Sequence, residues 1–123
     1  MDFLIDDNRS IFTQIAERIE EDIIDGVLPE ESQVPSTNQF SSFYKINPAT
    51  AAKGVNLLVD QGILYKKRGI GMFVAAGVRS ELLEKRRKQF YEQYVVNMIR
   101  EARKLEITPE QLMEMIGRGG REQ

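Results

Sequence analysis

Residues 36–74 read STNQFSSFYKINPATAAKGVNLLVDQGILYKKRGIGMFV, and three local features of this stretch decide the fold. Ser36 followed three residues later by Gln39 has the form of a capping box, in which each side chain satisfies a backbone N–H that otherwise lacks a partner. This predicts a short helix over Thr37–Tyr44, with Phe40, Phe43 and Tyr44 turned inward. Lys45-Ile46-Asn47 is a tight connection. Asn47 supplies a cap, and Pro48 suits the first turn of a second helix. That helix runs to Gln61, apolar at Ala51, Val55, Leu58 and Val59, and Gly62 ends it. The period then changes. Ile63–Lys67 and Met72–Ala75 are short strand-prone runs flanking Arg68-Gly69-Ile70-Gly71, which reads as a hairpin with a basic tip.

Working outward, Ser10 to Asp25 reads as an amphipathic helix. Ile11, Ile15, Ile19 and Ile23 recur every four residues, and Phe12, Ala16 and Ile24 widen the stripe. Ser10 is its expected N-cap and Gly26 its left-handed stop; a short apolar run, Phe3-Leu4-Ile5, comes before it. Downstream, one helix is expected from about Ser80 to Leu105. Another starts at Thr108-Pro109-Glu110 and ends near Gly117, leaving a charged, glycine-rich tail over 118–123 expected to fray. The fold class is therefore mainly α with a small β-hairpin: a winged helix-turn-helix domain over 1–76 and a C-terminal helical hairpin over 77–123.

Composition narrows the chemistry. The 123 residues are 41% apolar, which suits one compact domain rather than two. There is no Cys and no His, so disulfide and thiolate chemistry are absent, and the usual general base and commonest metal ligand are missing. No nucleophile is paired with a base, and no phosphate loop of the Walker type or metal-ligand spacing occurs. The expectation is no enzyme, no cofactor and no metal. No basic-then-apolar segment opens the chain and no apolar run reaches membrane-spanning length, so a cytoplasmic protein without a membrane partner is expected.

The net charge of −2 hides an asymmetry. Residues 1–35 carry ten acids and two bases, residues 80–123 nine bases and eight acids. Between them, residues 36–79 carry Lys45, Lys53, Lys66, Lys67, Arg68 and Arg79 against Asp60 alone. Affinity for a polyanion depends on the field at the docking face, so the middle segment is the candidate footprint. A helix of this kind fits the major groove of duplex DNA, its positive end pointing at phosphate. The hairpin's cations can take the backbone or the minor groove.

These residues resemble the GntR family of bacterial regulators. The resemblance rests on Gln14-Ile15-Ala16, Asp25-Gly26-Val27-Leu28-Pro29, Val34-Pro35-Ser36-Thr37, Asn47-Pro48-Ala49-Thr50, Leu58-Val59-Asp60-Gln61-Gly62-Ile63-Leu64 and Lys67 to Val74, in the right order and spacing. The short helical tail is most similar to the YtrA-like subfamily. The resemblance implies double-stranded DNA as partner. Ser36 and Thr37 would approach phosphate, Thr50 would contact the backbone, Lys53 would read a base or bind phosphate, and Lys67, Arg68 and Gly69 would form the wing. Asn38, Asn47, Ala49, Lys66 and Ile70 complete the candidate DNA-binding set. Two departures stand out: Asn38 where the family usually has arginine, and Ile70 where the wing often has a basic residue. Each cation missing neutralises one phosphate fewer. Asn47 reads first as a structural cap, and Lys85, Arg86, Arg87 and Lys88 as a solvated helix face.

In the tail, Tyr91, Tyr94, Val95, Met98, Ala102 and Leu105 form a helical stripe that Leu83 and Phe90 extend. A stripe this wide has to be covered. A second copy of the chain is favoured over back-packing, with Leu112, Met113, Met115 and Ile116 closing the interface, since a two-fold protein matches a two-fold operator. A crevice lined by Met and Tyr between protomers is a candidate for a small-molecule effector, with plain core packing the simpler reading. A repressor is the expected role. The alternative is a winged helix used only for protein–protein assembly.

Overall fold

A computed structural model describes residues 9–122, so the apolar run Phe3-Leu4-Ile5 lies outside the described residues. Contacts within the chain divide it into two compact units, Met1–Leu83 and Glu84–Gln123. The first contains α1 (Ile11–Ile24), α2 (Thr37–Tyr44), α3 (Pro48–Asp60), β1 (Leu64–Lys67) and β2 (Gly71–Val74). Helix α4 (Val78–Phe90) begins in this unit, and its Val78 and Leu82 are buried in the unit's core. That burial is why the division falls after Leu83 and not at the end of the hairpin.

Helix α1 forms where the four-residue isoleucine period predicts. Ser10 accepts a hydrogen bond from the Thr13 N–H at 3.3 Å, and Gly26, at φ +82°, turns the chain away in a conformation that L side chains resist. Ile15, Ile19 and Ile23 are buried, facing Ala51, Val55 and Leu58 of α3 in one apolar cluster. The two helices meet at Gly54. A Cβ built there would lie 2.7 Å from the carbonyl oxygen of Phe12 and 3.0 Å from the Cβ of Ile15. A side chain of any size would push the helices apart, so this glycine sets their separation.

Between α2 and α3 the chain reverses in three residues. Lys45 takes a left-handed φ of +55°, and Ser41 fastens the turn, its hydroxyl donating to the Ile46 carbonyl at 2.7 Å. Burial raises both the Tyr44 hydroxyl at the end of α2 and the Asp22 carboxyl of α1 above their ordinary ranges. The Arg18 guanidinium, 3.4 Å from Asp22, opposes the rise at both groups without cancelling it. Phe43 corrects the sequence reading, because it is 78% exposed. Phe40 and Tyr44 take the places against the core, while the Phe43 ring stays outside and meets Tyr44 edge-on, 4.8 Å between centroids.

The hairpin is antiparallel, with Leu64 opposite Val74, Tyr65 opposite Phe73 and Lys67 opposite Gly71. Leu64 and Val74 point into the core. The free edge of β2 is covered by residues 31–34: the Glu31 and Val34 N–H groups donate to the Val74 and Met72 carbonyls at 2.8 and 2.9 Å, and Val74 N–H donates to the Ser32 carbonyl at 2.9 Å. An otherwise open sheet edge is thereby paired. Glu30, just before, caps α4 by accepting the Gly77 and Arg79 N–H groups at 2.9 and 3.0 Å. Arg79 in turn donates through Nε to the Ile24 carbonyl at the end of α1, at 3.1 Å.

In the second unit the helix expected to be regular from Ser80 to Leu105 is interrupted. Tyr91–Val95 form a π-helical turn, after which α5 runs over Val96–Lys104. One extra residue in a turn rotates the residues beyond it by about 100° about the axis, so the apolar stripe drawn at one period from Leu83 to Leu105 is broken in phase. Ala102, placed on that stripe, is buried in its own chain. Helix α6 (Pro109–Glu122) opens with a second capping box, Thr108 with Gln111. It does not stop near Gly117, and the tail expected to fray is helical as far as Glu122. Glu114 reaches both Arg118 and Arg121 at 3.8 Å along the helix surface. Such pairs help offset the helix-weakening effect of Gly117, Gly119 and Gly120.

This packing makes two outcomes measurable. Gly54→Ala should destabilise the fold by about 1–2 kcal/mol despite the better helix propensity of alanine, read as a lowered midpoint in thermal unfolding. The Glu30 carboxyl is held below its ordinary value by the Gly77 N–H and next by that of Arg79. Its folded value lies below the unfolded one, so its stabilisation is complete above the usual carboxylate range and is lost as pH falls through the folded value. The stability difference between wild type and Glu30→Gln, measured by urea unfolding, should accordingly shrink on the acid side and stay constant around neutrality.

Candidate nucleic-acid interface

The capping chemistry positions the first candidates. The Gln39 N–H donates to Ser36 Oγ at 3.1 Å while the Ser36 N–H donates to Gln39 Oε1 at 2.7 Å. With Oγ used as an acceptor, the Ser36 hydroxyl keeps its own proton as a donor. Ser36 and Asn38 are exposed and Thr37 is half-buried at the start of α2. At α3, Asn47 is the cap that the sequence suggests, its Oδ1 accepting from the Ala49 N–H at 2.7 Å.

Helix geometry sorts α3 into two faces. Ala51, Gly54, Val55 and Leu58 are buried, and at 100° per residue the opposite side carries Ala49, Lys53, Asn56 and Asp60, all exposed. Thr50 lies to one side, half-buried. Asn56 is a residue that sequence reasoning does not single out. Its signal is positional, one turn beyond Lys53 on the outward line, and it appears only once the buried stripe is fixed. Asp60 closes that line with the sign a polyanion repels.

Lys53 does not stand out from the helix alone. Its ammonium lies 4.2 Å from the centroid of the Phe12 ring on α1, an attraction that holds the cation at the seam of the two helices. The hairpin repeats the device. Tyr65 and Phe73 stack across the strands at 5.9 Å, and the Lys67 ammonium lies 4.2 Å over Phe73 and 5.9 Å from Tyr65. Lys66, Lys67, Arg68, Gly69 and Ile70 are all exposed.

The hairpin tip is built as a fixed object. The Ile70 N–H donates to the Lys67 carbonyl at 2.9 Å, closing a turn in which Gly69 takes φ +77°. Gln33, from the segment covering β2, donates through Nε2 to the Ile70 carbonyl at 3.0 Å. Gly71, at φ +149°, makes room for it, since a Cβ there would lie 2.5 Å from that same nitrogen. Sequence reasoning passes over Gln33, because a contact spanning 37 residues leaves no local pattern.

Among the described residues no cluster of His, Cys, Asp or Glu could hold a metal ion, and no helix is long and apolar enough to cross a membrane. In the second unit Phe90, Tyr91, Tyr94, Met98, Leu105, Met113, Met115 and Ile116 are exposed. Leu83, Val95 and Leu112 are half-buried.

Three helices, a three-residue turn between the second and third, and a basic hairpin behind them define a winged helix-turn-helix protein. Residues 12–74 match the bacterial regulatory proteins of the gntR family, and the chain belongs to that family, whose members are regulators and not enzymes. A GntR-family transcriptional regulator from Bacteroides thetaiotaomicron superimposes with a TM-score of 0.74 at 31% identity, over 91% of this chain and 97% of that one. The HTH-type transcriptional regulator YhcF of Bacillus subtilis is 23% identical over 116 residues, 94% of each chain. The repressor YtrA of the same organism is 26% identical over 68% of this chain and 64% of its own length. Other curated regulators are much longer, and the chain spans only 26–30% of their length.

Gln33→Ala should leave the core intact and release the tip. Nitrogen-15 relaxation should then show lower order parameters at Gly69–Gly71 than in wild type, with the amides of α1 and α3 unchanged.

Proposed function

We propose that this chain is a sequence-specific transcription regulator, acting as a repressor, that binds duplex DNA as a homodimer on a two-fold operator. Helix α3 lies in the major groove, where Lys53 and Asn56 face base edges and Thr50 faces the backbone. Ser36, Thr37 and Asn38 meet phosphate at the start of α2, with the Asn47 and Ala49 turn close to the strand. Lys66, Lys67, Arg68 and Gly69 clasp the backbone beside the minor groove. The observation that carries this reading is the anchored hairpin with three adjacent cations, on a winged unit whose reading helix turns a polar face outward.

The helical region over 77–123 supplies the dimer in this reading. What supports it is the exposure of Phe90, Tyr91, Tyr94, Leu105, Met113 and Ile116 together, a quantity of apolar side chain that a soluble protein covers. In this reading a small-molecule effector would bind at the Met- and Tyr-lined surface. A reader of bacterial chromosomal DNA works in the cytoplasm.

The test is a titration of the whole chain with pooled genomic duplexes at several salt concentrations, alongside sedimentation equilibrium. Replacing Lys66, Lys67 and Arg68 together by alanine should weaken binding at least about ten-fold and flatten the salt slope by about 2–3 in log units. Sedimentation should give twice the chain mass. Failure of the folded wild-type protein to bind any duplex at low ionic strength would overturn the assignment, and a monomer at micromolar concentration would remove the dimer from it.

A further inference from the structure

The tip of the hairpin presents an aliphatic side chain where its neighbours are cations. Ile70 follows Lys66, Lys67 and Arg68, and it is 63% exposed. Gly69 and Gly71 stand on either side of it, so no side chain shields it from its immediate neighbours in the chain. Its backbone is held at both polar groups, the N–H by the Lys67 carbonyl and the C=O by the Gln33 amide. A β-branched side chain has little freedom about χ1. The outcome is a stiff apolar prong on a fixed mount.

From this we infer that Ile70 is a specificity-determining residue, entering the minor groove and selecting A·T over G·C pairs there. The inference rests on the DNA-binding reading above. Charge complementarity names the occupant: three cations beside an apolar tip suit a surface that is anionic at its walls and less polar between them, which describes a DNA groove. The minor groove is about 6 Å wide, and a tip flanked by two glycines presents little more than one isoleucine side chain. On the groove floor, A·T and T·A pairs offer only the adenine N3 and thymine O2 acceptors, whereas G·C adds the guanine amino group. That amino group projects toward an incoming side chain and needs an acceptor. Isoleucine has none, so it excludes the water that served the amino group and offers nothing in return. Discrimination arises from the base pair that is refused.

The experiment uses duplexes recovered by selection with the full-length chain. Pairs at the positions flanking each half-site are set to A·T, G·C or inosine·cytosine. Inosine lacks only the amino group, so its pair looks like G·C in the major groove and like A·T in the minor groove. Wild type should bind the A·T and inosine·cytosine duplexes alike, about five-fold or more tighter than G·C. Ile70→Ala, which alters neither charge nor core, should bind all three within about two-fold of one another. Inosine·cytosine behaving as G·C would overturn the inference by placing the contact in the major groove, against a thymine methyl. Discrimination that survives in Ile70→Ala, or is missing from wild type, would overturn it equally while leaving DNA binding intact. If wild type bound no duplex at low salt, the parent reading would fall as well, so the two failures are distinguishable.

Discussion

The architecture depends on how closely α1 and α3 approach at Gly54. A Cβ at Gly54 would lie 2.7 Å from the Phe12 carbonyl oxygen and 3.0 Å from the Ile15 Cβ, well inside ordinary contact, so α3 meets α1 there with bare backbone. That contact brings Ile15, Ile19 and Ile23 against Ala51, Val55 and Leu58 in a core closed to water. It also fixes the direction in which α3 faces outward, because burying one stripe of a helix determines what the other side presents. The polar line through Ala49, Lys53, Asn56 and Asp60 is the complement of that buried stripe. The same approach brings Phe12 under the Lys53 ammonium, so the seam that builds the core also seats a cation at the surface.

Around that core, the elements are held by interactions that tie distant parts of the first unit together at their ends. Residues 31–34 pair with β2, Gln33 holds the hairpin tip, Glu30 caps α4 and Arg79 closes the end of α1. One short polar loop thus anchors the hairpin and the start of α4. Arg79 belongs to the cation-rich middle of the sequence, yet its side chain is engaged at a helix terminus. The cations left for an anionic partner are fewer than the segment's charge suggests, and they concentrate on the hairpin and at Lys53.

The second unit is built differently. Its last helix is capped by Thr108 with Gln111, and surface ion pairs lace α4 and α6, but among the described residues the unit carries only one buried apolar side chain, Ala102. Helices with so little buried apolar surface are marginal in isolation, and their large side chains lie open. The π-helical turn at Tyr91–Val95 divides the open surface into an aromatic portion, where Phe90 and Tyr94 lie 5.6 Å apart, and a methionine-rich portion beyond it.

Much of the fold is legible in the sequence because it is local. Ser36 with Gln39, Asn47 with Pro48, Gly26 and the glycine-bearing hairpin act within three or four residues, and each element begins where they place it. The candidate cations of the hairpin are legible for the same reason. Tertiary structure alone decided the remainder. Gly54 looks like a weak point in a helix until α1 lies against it, and Gln33 and Glu30 find partners 37 and 47 residues away. Phe43 escapes a sequence reading because apolarity does not say which way a helix faces, and Asn56 escapes it because its face is defined only by what its neighbours bury. Gly117, Gly119 and Gly120 fail as a stop signal because propensity alone is a weak guide to where a helix ends, and α6 continues through all three. Short-range hydrogen bonding is written in the order of residues; the faces that helices show, and the contacts that aim them, exist only after the chain has closed on itself.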